Sequence, residues 1–268
     1  MKLVRCEKVW DTGIRDVLRV IVYTVITFIA TVLLVVETPA TGGYFNLGEA
    51  AIYTIAYLSP PTIAAIASGL GPALADLVLG YWYFAPATFI IKFCEGYTVS
   101  KLIRVLAGRG ERRTITILKL ASLVIGIVLA SVIVALLSFG GGEASIEVGL
   151  TPTSLLGVRI PIPQVMISLP SYAWIAIAVL FIVAVIMYVV ATATKPFIVA
   201  MTIGGLIMVT GYFLYEYFVS NPLILGREPI GAVFEVPVNI GQFVAGIILA
   251  YPVVQFIERA RGARGTES

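Results

Sequence analysis

Lys92 and Glu95 stand three residues apart in the apolar run APATFIIKFCEG, residues 85–96. Three residues apart on a helix means one shared face. An ionisable side chain within a membrane costs several kcal/mol unless it is paired or hydrated, so these two groups call for each other, for other charges, or for a ligand. Similar residues recur along the chain. Asn46 and Glu49 open an apolar segment, Asp76 lies near the end of the next, and Tyr212 and Glu216 form an i, i+4 pair. Glu235, Asn239 and Gln242 follow at i, i+4, i+7. These are carboxylates, amides, phenols and one amine. Their chemistry is hydrogen bonding and charge complementarity toward a small polar molecule rich in N–H and O–H groups.

The absences narrow the function further. The chain has no histidine, which removes Ser–His and Cys–His nucleophile systems and histidine-ligated zinc or haem. It has no G-x-x-x-x-G-K-[ST] stretch, so no phosphate loop of its own, and no cofactor or metal is expected. Its two cysteines, Cys6 and Cys94, fall in a basic segment and an apolar one, and no bridge between them is expected. Hydrophobic residues make up 59% of the 268 residues and charged residues 12%, with a mean hydropathy of +1.01. Soluble domains carry about 25% charged residues. The composition is that of an integral membrane protein, and a net charge of +3 is too small to indicate nucleic acid.

The elements that position these groups follow from hydropathy, a span needing about 20 apolar residues. Spans are expected near 18–37, 46–58, 62–80, 86–106, 115–138, 171–191, 197–219 and 237–257. The second is short and ends at Ser59-Pro60-Pro61. The third contains Gly69, Gly71 and Pro72, where a kink is expected because proline cannot donate. The fold class is therefore an all-α membrane protein, a polytopic bundle of about eight spanning helices. Lys and Arg before the first span, after the fourth, at Lys195 and after the eighth fall on one side of such a bundle. By the positive-inside rule both termini are expected in the cytoplasm of a multi-pass cell-membrane protein. The organisation expected is an amphipathic N-terminal segment 1–17, four spans over 18–106, a helix pair over 107–196 with an outer loop 139–170, two spans over 197–258, and a basic cytoplasmic tail 259–268. The outer loop is expected to hold a short hairpin.

With this orientation Lys92 and Glu95 lie roughly 9 and 14 Å below Pro86, at about 1.5 Å per residue, and the other polar groups fall at similar depth. Structural readings stand beside the functional one. Asn46 and Glu49 fit a capping box, with Asn46 at the N-cap; Glu235 fits a solvated helix start; Tyr81, Trp82 and Tyr83 fit an interfacial belt; Ala67, Gly71 and Ala75 fit a packing seam. Convergence at one depth favours a polar pocket in the outer leaflet, and the candidate binding residues are Tyr44, Asn46, Glu49, Asp76, Tyr81, Lys92, Glu95, Tyr212, Glu216, Asn239 and Gln242.

The motifs GGYFNLGEAAIY, GLGPALADLVLGY, YFAPATFIIKFCEG, GYFLYEYF and EVPVNIGQFVAGIILAYP resemble, in order, those of the substrate-binding S component of energy-coupling factor (ECF) transporters, closest to the riboflavin-type group. The resemblance covers roughly 42–106 and 201–257. It implies a six-helix core, here with the pair over 107–196 inserted. It implies capture of a vitamin from outside under a lid formed by the first outer loop. It further implies partners: a transmembrane coupling subunit and two cytoplasmic ATPases that use the ATP. Riboflavin is the first candidate substrate and a thiamine-type pyrimidine the second. The first span lacks the A-x-x-x-A seam that many members use for docking. A stand-alone ion-coupled transporter is the alternative. No Ser–Lys or paired-aspartate motif on facing spans supports an intramembrane enzyme.

Overall fold

In a computed structural model of the chain, the structure describes residues 3–38, 43–108 and 195–265, the helical positions 116, 120, 124 and 127, and four short strands within 145–170. The six described helices are α1 (Leu3–Leu33), α2 (Gly48–Leu58), α3 (Pro61–Leu79), α4 (Ala85–Gly108), α5 (Pro196–Tyr215) and α6 (Ala232–Gly265). The strands are β1 (Leu34–Thr38), β2 (Gly43–Asn46), β3 (Ser145–Val148), β4 (Thr153–Leu155), β5 (Val158–Ile160) and β6 (Ile167–Pro170). The inserted spans expected at 115–138 and 171–191 lie almost wholly outside the described residues.

Local chemistry sets the helix ends. Pro61 and Pro196 occupy the first turns of α3 and α5, where a missing N–H costs nothing. Gly80, at φ +92°, ends α3 in the left-handed conformation, and the Tyr81 amide bonds back to the Asp76 carbonyl at 2.8 Å. The helix is continuous through Pro72. Beyond Tyr215 the chain widens into a π-helical segment, Glu216–Leu225, containing Pro222.

The helices pack in a closed ring, α1 on α3, α3 on α4, α4 on α5, α5 on α6, α6 on α2 and α2 back on α1. Lipid is as apolar as the helices, so close packing rather than burial from water holds such a ring. The small residues of α3 serve that purpose. Ala67, Gly71 and Ala75 are all buried, the Thr27 hydroxyl of α1 donates to the Ala67 carbonyl at 2.9 Å, and a Cβ on Gly71 would collide with Thr27 and the Thr24 carbonyl. Most of α1 beyond this stripe is bare, with Ile14, Val17, Leu18, Ile21 and Val22 more than half exposed.

One expectation needs correction. The first span stops at Leu33, and short strands join the helices: β1 pairs antiparallel with β2, Val35 opposite Asn46 and Thr38 opposite Gly43. The β-branched run after Leu34 favours a strand. Strand β4 pairs with β1 and with β5, giving the order β2-β1-β4-β5, and β3 pairs with β6, so the loop hairpin becomes part of a sheet shared with the first connection. The N-terminal segment from Leu3 and the first span form one helix, and α6 runs on to Gly265. Cys94 is a free, exposed thiol.

Among the described residues four helices are long and apolar enough to cross a membrane: Gly13–Leu33, Pro61–Leu79, Pro196–Leu225 and Pro229–Ala260. Helix α4 has the length, 24 residues, but carries four charges, and α2 has only 11 residues. The start of α1 and the end of α6 lie at the end of the bundle opposite the β1–β2 hairpin. At that far end Tyr57 and Lys195 meet Glu258, at 3.4 and 3.6 Å.

Candidate binding site at the hairpin end

Helix α2 begins without the capping box. Leu47 takes the N-cap position with no side-chain cap. Asn46 accepts from the Gly48 amide at 2.8 Å, while its own amide donates to Gln242 Oε1 at 3.0 Å. Glu49 is thereby released from capping and turns into the bundle, fully buried. The close approach of α6 makes this possible: a Cβ on Gly246 would overlap the Glu49 side chain.

There Glu49 meets Lys92. The ammonium pairs with Glu49 Oε1 and lies 3.3 Å from Glu95 Oε2. It also contacts the Met208 sulfur and stands 5.5 Å from the centre of the Tyr212 ring. Glu95 accepts from the Tyr53 hydroxyl at 3.0 Å, and Gln242 Nε2 donates to Glu49 Oε1 at 3.1 Å. Lys92 thus bridges α2 and α4 and is committed to two carboxylates.

Above it lies a cavity lined by Gly43, Tyr44, Asn46, Pro72, Asp76, Phe84, Thr88, Lys92, Tyr212, Glu216, Glu235, Asn239 and Gln242. Its volume, for a water-sized sphere, is about 30 Å³. A single water needs about 10–15 Å³ on that measure, so the space holds two or three waters and a heterocycle requires it to open. The hairpin covers it. The Tyr44 hydroxyl donates to Asp76 Oδ1 at 2.5 Å, and its ring packs on Tyr81, centres 4.7 Å apart. Burial first, then the adjacent Asp76 carboxyl, push the Tyr44 phenol well above its usual value, so it remains a donor. Tyr212 donates to Thr88 at 3.0 Å.

All eleven candidate residues come together. Eight line the cavity; Glu49 and Glu95 form its floor through Lys92, and Tyr81 backs Tyr44. Glu235 escaped the candidate set. It is 2% exposed rather than solvated, with Gly43 pressed on its carboxylate. Its i, i+4, i+7 register with Asn239 and Gln242 was the available signal. Trp82 is 63% exposed and points away. Thr88, Phe84 and Met208 carried no pattern that marked them.

The arrangement offers hydrogen bonds and charge to a bound molecule, from carboxylates, amides, phenols and a paired lysine. Comparison with known proteins agrees. The sequence model of the family described as "ECF-type riboflavin transporter, S component" matches residues 12–168, more than half of the chain. A Pyrococcus woesei protein described as "Uncharacterized protein in gap 3'region" is 35% identical over 119 residues, 44% of this chain and 77% of that one. No solved structure matches the chain significantly. The matched family is one of transporter components rather than enzymes, and the apolar helices agree with a membrane location. The chain belongs to the ECF-type riboflavin transporter S-component family.

Proposed function

We propose that this chain is the substrate-binding membrane subunit of an ECF-type uptake transporter and captures a small heteroaromatic vitamin in the cavity beneath the β1–β2 hairpin. The observation that carries this reading is the convergence of buried polar groups from α2, α3, α4, α5 and α6 on one cavity at one end of an apolar bundle. Buried groups of this kind destabilise a membrane bundle unless they are paired or hold a ligand. Tyr44, Asn46, Glu49, Asp76, Tyr81, Lys92, Glu95, Tyr212, Glu216, Asn239 and Gln242 form the site, and Glu235 joins them. The hairpin end faces outward and both termini are cytoplasmic. The hairpin is the lid, and it opens by breaking the Tyr44–Asp76 and Asn46–Gln242 bonds.

ATP is hydrolysed by two partner ATPases, coupled through a transmembrane subunit. The family description makes riboflavin the first candidate ligand. The test is vitamin uptake by cells expressing the chain with and without a coupling subunit and ATPases. Uptake should require the partners and stop when their ATP hydrolysis is blocked. Uptake by the chain alone, driven by an ion gradient, would establish a secondary transporter instead.

A further inference from the structure

The cavity is built for positive charge. Three carboxylates line it, Asp76 from α3, Glu216 at the end of α5 and Glu235 at the start of α6, against one lysine. That lysine is already held between Glu49 and Glu95 beneath the cavity. Glu216 and Glu235 act on each other electrostatically. Glu216 Oε2 and Asp76 Oδ2 accept no hydrogen bond, although the two residues are only 1% and 2% exposed. Two buried acceptors aimed into one small space from different helices demand a donor. Aromatic rings of Tyr44, Phe84 and Tyr212 also line it, and their faces attract cations as well as stack on heterocycles. A metal ion is the wrong guest, since no described cluster has metal-ligand composition.

We propose that the site selects a positively charged nitrogen heterocycle, placed between Asp76 and Glu216, over a neutral ligand such as the riboflavin of the family description. This rests on the substrate-binding reading above. A neutral ligand can satisfy the orphaned oxygens with N–H or O–H donors but leaves the carboxylate charge of the cavity unbalanced, whereas a cation balances it.

The full chain, purified in detergent, is titrated with two fixed cations, thiamine and 1-methylnicotinamide, with their neutral counterparts, thiochrome and nicotinamide, and with riboflavin. At least one cation should bind about tenfold or more tighter than its counterpart and than riboflavin, as ion pairing with a partly desolvated carboxylate predicts. Glu216→Gln should abolish most of that preference without lowering the melting temperature. Riboflavin or a neutral counterpart binding as tightly as the cations overturns charge selection and leaves the substrate-binding reading standing, as does a preference unchanged in Glu216→Gln. If no probe binds, the charge proposal falls. The small molecules released on denaturing the purified protein then decide the wider reading: a released heterocycle keeps it, and none removes it.

Discussion

Replacing Lys92 by methionine isolates the charge at the floor of the site. Methionine keeps the unbranched shape, so packing against Met208 and Tyr212 is largely preserved, and the change is loss of the ammonium. Lys92 is 2% exposed and its partners Glu49 and Glu95 are fully buried. Removing one partner of a buried ion pair typically costs about 3–5 kcal/mol, because the charge left behind is uncompensated. Here two carboxylates are left, so the upper part of that range is expected. At about 1.4 kcal/mol per tenfold, this is about three to three and a half orders of magnitude in the unfolding equilibrium. It should also weaken ligand binding by well over tenfold, since Glu49 holds Gln242, whose carbonyl oxygen holds the lid strand at Asn46. The assay is thermal and denaturant unfolding in detergent, with ligand titration of the folded fraction. Lys92→Met combined with Glu49→Gln and Glu95→Gln should recover most of the stability, because neutral, volume-matched replacement of a buried ionic cluster is tolerated. A single variant within about 0.5 kcal/mol of the parent would refute the charge argument. A triple variant worse than the single one would show that the Tyr53 and Gln242 hydrogen bonds, not charge, hold the site.

Three further outcomes follow from the same geometry. Tyr44→Phe removes a hydrogen bond to a buried carboxylate, worth about 1.5–3 kcal/mol, so ligand dissociation measured by stopped flow should quicken about tenfold or more; an unchanged rate would detach the hairpin from gating. Gly246→Ala places a methyl group into Glu49 and should force α2 from α6, lowering the melting temperature and the affinity together, whereas Gly241→Ala, with open space around it, should change neither. Replacing 109–196 with a short polar linker should leave binding measurable by titration, because none of the cavity lining comes from that segment among the described residues; β1 loses its partner β4, so a lower melting temperature is expected, and a folded deletion that binds nothing would place the segment in the site.

Much of the site was legible because charge and amide groups in an apolar chain have few structural uses. Lys92, Glu95 and Asp76 stood out against their surroundings, and alternating spans brought them to one depth. The α3 seam was legible too, since Ala67, Gly71 and Ala75 share a face. What failed were the residues whose local and tertiary readings compete. Asn46-Leu-Gly-Glu49 carries a capping-box pattern, yet Lys92 offers Glu49 a stronger partner than a backbone amide. Glu235 sits in a first turn, where acids are usually solvated, and only packing of Gly43 over it reveals burial. The strand at 34–38 continues the hydropathy of α1, and hydropathy cannot tell a last helical turn from a β-branched strand that finds a partner at 43–46.

The most direct test is to purify the chain from membranes, denature it and identify the released small molecules by mass spectrometry. This is done beside Asn239→Phe, which fills the cavity from α6. The account predicts about one nitrogen heterocycle per chain in the parent and almost none in the folded variant. An empty parent protein, or equal amounts released from both, would contradict the assignment of this cavity as the substrate site.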